Sequence, residues 1–85
     1  MTYRIEFAKP AVKQFKALPP QEQQRLKPKI DALAHEPRPV GMVKLAGEDD
    51  LYRIRVGDYR IVYTIEDARL LVLVVRVRHR REVYR

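Results

Sequence analysis

Residues 51–63 read LYRIRVGDYRIVY, and no other stretch restricts the fold of this 85-residue chain so tightly. Two runs of alternating apolar and charged residues flank Gly57-Asp58, and a period of two marks a strand with one buried face. Glycine at the first position of a two-residue loop specifies a type II′ turn, because it supplies the positive φ that this position needs. The turn then fixes the register. Val56 faces Tyr59, Arg55 faces Arg60, Ile54 faces Ile61, Arg53 faces Val62 and Tyr52 faces Tyr63. Tyr52, Ile54, Val56, Tyr59, Ile61 and Tyr63 therefore share one apolar face, while Arg53, Arg55 and Arg60 share the other. Like charges placed directly opposite each other repel, so the pairing of Arg55 with Arg60 asks for a reason.

The rest of the chain supplies a frame for that hairpin. Residues 2–7 alternate too, with Tyr3, Ile5 and Phe7 on one side, and read as a half-buried strand. Pro10 suits the first turn of a helix, and Val12, Phe15 and Leu18 recur at helical spacing before Pro19-Pro20. Pro20 opens a second helix with the stripe Leu26, Ile30, Leu33 and Ala34, ending before Pro37. Pro28 lies inside it and predicts a kink or a local break, since proline lacks the amide hydrogen and crowds the preceding turn. Residues 36–41 form a loop, and 44–50 lead into the hairpin.

A last strand, 70–77, follows a polar turn at Glu66-Asp67. Residues 70–75 are apolar at both parities, which predicts a strand covered on both faces or nearly so, central in the sheet, with the N-terminal strand beside it. The fold expected is α+β: an N-terminal strand, a helical hairpin, then a three-stranded antiparallel meander, with the helices packed on one sheet face. A length of 85 residues suits a single domain spanning 1–85.

Composition narrows the chemistry. The chain has no cysteine and no serine, which removes disulfides, thiolate metal sites and the usual nucleophiles. Only three glycines are present, too few and too scattered for a phosphate loop. His35 and His79 fall in different elements, so no metal site and no cofactor is expected. The opening MTYRIEFAKP lacks the order of a secretion signal and the longest apolar run is too short to span a bilayer, so a soluble cytoplasmic protein without membrane contact is expected.

The net charge is +7, and it is unevenly made. From Leu51 onward there are nine arginines and no lysine, whereas the six lysines all lie earlier. Guanidinium groups present planar forks that match phosphate oxygens and also stack on bases, so this bias favours a phosphate-rich or ribonucleoprotein target over charge for solubility. Soluble sheet faces usually mix signs, and no acid joins Arg53, Arg55 and Arg60 except at the turn residue Asp58. The tail RVRHRREVYR, 76–85, continues the theme: if the last strand lies beside the hairpin, Arg76, Arg78 and Arg80 project onto the same face. Lys44, Arg76, Arg78 and Arg81 are the expected phosphate contacts around it. His79 and Tyr84 lie within this cluster and could move a proton, although His79 has the opposite parity to Arg78 and Arg80.

Taken together, YRIEFAKPAVKQFKALP, the KLAG lead-in, YRIRVGDYRIVY and the terminal VRHRREVYR resemble the RelE/ParE superfamily of toxins from bacterial type II toxin–antitoxin pairs, over essentially the whole chain and closer to RelE. The resemblance implies a ribosome-dependent mRNA endoribonuclease that uses the substrate's own 2′-hydroxyl without a metal, and a small RelB-like antitoxin whose acidic segment silences it in a hetero-oligomer. It also implies site residues: Arg53 and Arg55 stand where the RelE pattern has lysines, while Arg60, Arg80 and Tyr84 match its arginine, arginine and tyrosine. Arginine is a poor general base, so the lysine replacements leave His79, Tyr84 or the ribosome to take the proton. A ParE-like inhibitor of DNA gyrase, or a catalytically weakened relative that only binds, is the alternative.

Overall fold

The computed structural model describes residues 2–45, 47 and 50–79, and within them one sheet is built from five strands. In chain order these are β1 (Arg4–Phe7), β2 (Val43–Lys44), β3 (Tyr52–Val56), β4 (Tyr59–Glu66) and β5 (Leu71–His79). Helices α1 (Lys9–Lys16) and α2 (Pro20–Ala32) lie between β1 and β2 in sequence. The spatial order is β1-β5-β4-β3-β2, with β1 parallel to β5 and all other neighbours antiparallel. This is the α+β arrangement expected, with one addition: β2, two exposed residues, is too short to show any alternation in the sequence.

One face of the sheet is covered by the helices. Ala11 of α1, Leu26 and Ile30 of α2 and the following Leu33 meet Ile54, Val56, Ile61, Tyr63, Val72, Val74 and Val77 in a buried cluster. The β3–β4 register agrees with the expected pairing at all five positions, and Gly57 takes a φ of 61° as the type II′ turn demands. The absent Cβ of Gly57 leaves space for the Arg25 guanidinium, which reaches over from α2. β5 is interior, as its apolar run implied, but the middle strand is β4. Val72 and Val74 face the helices, and Leu71, 3% exposed, is buried on the other side.

The expected break at Pro28 does not occur, because α2 runs continuously from Pro20 to Ala32. Both Pro28 and Gln24, whose carbonyl loses its partner, are exposed, so water can satisfy the orphan group.

A β-bulge decides which side chains of β5 go where. Tyr63 pairs with Val74 while the preceding Val62 pairs with Arg76, leaving Val75 as an extra residue on β5. Before the bulge the even positions Val72 and Val74 face the helices; after it the odd positions Val77 and His79 do. Arg76 and Arg78 are thereby turned to the uncovered face.

The opposite end of the sheet is tied down. The buried Tyr63 hydroxyl donates to the Pro37 carbonyl at 2.8 Å, and burial pushes its pKa up to about 12. Arg38 grips the Asp67 carboxylate with two nitrogens, at 2.8 and 3.2 Å, and the Tyr3 hydroxyl donates to the same group. These donors, Arg38 first, hold the Asp67 pKa below its ordinary value. Two further ion pairs, Arg4 with Glu6 and Arg69 with Glu66, stand at this end.

Candidate functional site

Five arginines occupy a small lattice on the uncovered face. Arg55 pairs with Arg60, and Arg60 with Arg78, so one row crosses β3, β4 and β5. The next row crosses the same strands as Arg53, Val62 and Arg76. With strands about 4.8 Å apart and same-face residues about 6.8 Å apart along a strand, the five Cα atoms fall within roughly 10 by 7 Å. Val62 is the sixth lattice point and only 6% exposed. Arginines around an apolar floor are a stable compromise, since long cationic side chains can bury their aliphatic stems against apolar surface and keep the charged head in water.

Leu45, Arg53, Arg60, Val62, Arg76 and Arg78 line a cleft of about 160 Å³. Arg55, Arg76 and Arg78 form no ion pair with an acid among the described residues. Among the described residues, the ion pairs of the sheet gather near Asp67, while Arg55, Arg76 and Arg78 stand toward the hairpin end. An anion with several oxygens, lying over this lattice, would relieve the repulsion and accept several forked hydrogen bonds at once.

The structure brings together Arg53, Arg55, Arg60, Arg76 and Arg78, and it separates two other expected residues from them. Lys44 pairs with Tyr52, so it belongs to the apolar parity; its neighbour Leu45 lines the cleft instead. His79 pairs with Tyr59 on the helix side, and their rings meet edge to face with centroids 5.0 Å apart. It is therefore not a member of the arginine face, for the reason of parity already visible in the sequence. Arg80, Arg81 and Tyr84 lie outside the described residues. Leu45 and Val62 were not anticipated as lining, although the pairing of Val62 with Arg53 already placed it on this face.

Chemically, the lattice can bind a phosphodiester and stabilise negative charge that develops on it. It cannot readily remove a proton, because a guanidinium in a protein is in effect always protonated and has no basic lone pair to offer. Among the described residues no group of three or more His, Cys, Asp or Glu side chains is arranged to hold a metal ion.

A mixed sheet with two helices on one side and a cationic lattice on the other defines a class. Residues 5–84 match the family described as ParE toxin of type II toxin–antitoxin system, parDE, and the chain belongs to that family. It is 34% identical over 88 aligned residues to the mRNA interferase toxin RelE of Escherichia coli K12, covering 99% of this chain and 92% of the relative. Among solved structures it resembles RelE in the archaeal RelE–RelB complex from Pyrococcus horikoshii OT3, with a TM-score of 0.80, 34% identity and coverage of 94% and 97%. The toxin–antitoxin complex RelBE2 of Mycobacterium tuberculosis gives a TM-score of 0.84 at 28% identity, covering 94% of this chain and 100% of that one.

Proposed function

We propose that this chain is the toxin of a type II toxin–antitoxin pair and an endoribonuclease that cuts mRNA on the ribosome. The observation that carries this reading is the five-arginine lattice on a chain 34% identical to an mRNA interferase. The substrate's 2′-hydroxyl oxygen attacks the neighbouring phosphorus as the bond from phosphorus to the 5′-oxygen breaks, giving a 2′,3′-cyclic phosphate and a 5′-hydroxyl. Arg53, Arg55, Arg60, Arg76 and Arg78 hold the phosphate and the charge that grows on its oxygens. The 2′-hydroxyl proton goes to a base outside the lattice and the leaving 5′-oxygen takes one from solvent; Arg80 and Tyr84, the other expected site residues, lie outside the described residues. Because these roles need no metal, a chelator is expected to leave cleavage unchanged.

Mapping mRNA 5′ ends after induction in cells tests the proposal: new ends should appear within translated frames, and Arg60→Ala should abolish them in a folded protein. Their absence on induction of the wild type would overturn it. The cognate partner is a small RelB-like chain whose acidic segment lies against the cationic surface. A second reading, inhibition of DNA gyrase without catalysis, is favoured by the ParE description of the matching family. Purified protein would then block supercoiling and leave mRNA intact.

A further inference from the structure

The bulge at Val75 has a second product besides the arginine lattice, because it also turns Val77 and His79 toward the helices. β1 ends at Phe7, opposite Val74, so beyond that point β5 has no strand on its outer side among the described residues. A side chain takes the strand's place: Gln14 of α1 accepts the Val77 amide hydrogen through Oε1 at 2.7 Å. Between this edge and the end of α1 lies a cavity of about 340 Å³, lined by Gln14, Ala17, Leu18, Pro19, Tyr59, Val77 and His79.

Its lining is that of a site for a flat heteroaromatic ring. Tyr59 and His79 provide aromatic surface, and Leu18, Pro19 and Val77 provide apolar walls. The Gln14 amide offers one hydrogen-bonding edge: Oε1 is engaged, and Nε2 has no partner among the described residues. The volume is near the lower end of small-ligand pockets, about 300–1,000 Å³, which suits one nucleobase with its sugar. Arg78 precedes His79 in the chain and points to the other face, so a nucleic-acid strand whose phosphate rests on the lattice meets this cavity by rounding one strand edge.

We propose that this cavity is a nucleobase-binding site for a nucleotide next to the phosphate on the arginine lattice, with Tyr59 and His79 as stacking surface and Gln14 as the polar reader. The proposal rests on the reading of the lattice as a site for an RNA phosphate. It gives His79 a role that its place on the opposite face from the arginines otherwise denies it. Single-stranded RNA is held elsewhere by the same combination of an electropositive track and aromatic platforms.

The test is titration of the purified chain with adenosine and uridine monophosphates, ribose 5-phosphate and inorganic phosphate, followed by NMR on the His79 ring and the Gln14 side-chain amide, with exposed His35 as internal reference. Stacking of one base typically changes affinity by about five- to 150-fold. The nucleotides should bind at least about fivefold tighter than ribose 5-phosphate and shift both signals. Ala17→Phe, which fills the cavity from an exposed position, and His79→Ala should remove that advantage, while His79→Phe should retain it. Equal binding of ribose 5-phosphate and nucleotides, shifts confined to the arginine face, or no binding of any probe would each overturn the proposal. The in-cell mRNA ends judge the nuclease reading separately: a chain that cleaves message but shows no base advantage overturns this site alone.

Discussion

Replacing Arg55 by glutamate should make the protein more stable and less active at once. Arg55 is exposed and sits directly opposite Arg60, next to a two-residue turn. The hydrogen-bonded pair of such a hairpin is Val56 with Tyr59, so Arg55 and Arg60 form the next, non-hydrogen-bonded pair, with Cα atoms about 4.5 Å apart and side chains at their closest. A favourable pair here contributes roughly 0.2–1 kcal/mol and like charges cost a similar amount, so Arg55→Gln should gain about 0.2–1 kcal/mol and Arg55→Glu about 0.4–2 kcal/mol. For a domain of this size each kcal/mol moves Tm by about 4–8 °C, so thermal unfolding followed by circular dichroism can read the order Arg, Gln, Glu. Salt supplies the control. Screening shortens from about 10 Å at 0.1 M to about 3 Å at 1 M ionic strength, and most of the gain should vanish at 1 M. A variant that melts at or below the wild-type temperature, or whose gain persists in high salt, would refute the claim that the lattice is held against repulsion. Growth arrest on induction should be lost in both variants.

Three further outcomes follow from the fold. Gly57→Ala should destabilise by about 1–2 kcal/mol from its positive φ alone, measured by urea unfolding; the added Cβ also meets the Arg25 guanidinium, so pairing the change with Arg25→Ala should recover only the part due to that contact. Tyr63→Phe should cost about 1 kcal/mol, or up to about 3 kcal/mol if the Pro37 carbonyl finds no water. Because the folded Tyr63 pKa of about 12 lies above the unfolded value, near 10, the wild type should lose stability as pH rises from about 10 to 12, and the Phe variant should lack that contribution to the slope. Asp67 behaves in the opposite sense: its pKa is depressed by Arg38 and Tyr3, so its contribution is present above the unfolded carboxylate value of about 3.9 and is lost as pH falls through the folded one. Asp67→Asn should therefore flatten the acid limb of a stability profile.

Much of this molecule was legible in its sequence where local chemistry sets geometry. One glycine fixed the β3–β4 register through its turn, and with it the side on which Arg53, Arg55 and Arg60 stand. The helices followed from prolines and apolar spacing, although Pro28 misleads: the rule against proline concerns a lost hydrogen bond, and on an exposed face water can replace it. The end of the sheet bearing Arg38 and Asp67 was not legible, because it joins residues 29 apart whose meeting depends on tertiary packing.

The hardest feature to read was the bulge, and the site depends on it. Strict alternation from Val72 and Val74 would carry Arg76 and Arg78 under the helices, where an unpaired cation is very costly. The run at 70–77 is apolar at both parities up to Val75, so it conceals its own phase. One extra residue at Val75 resolves the conflict, returning Val77 to the core while presenting both arginines beside Arg60. Bulges disrupt a ladder and are found near functional sites because they re-aim side chains. Here the same residue that keeps the core apolar completes the cationic lattice on one face and opens the Tyr59–His79 cavity on the other. Packing and the proposed phosphate recognition therefore share a single backbone irregularity.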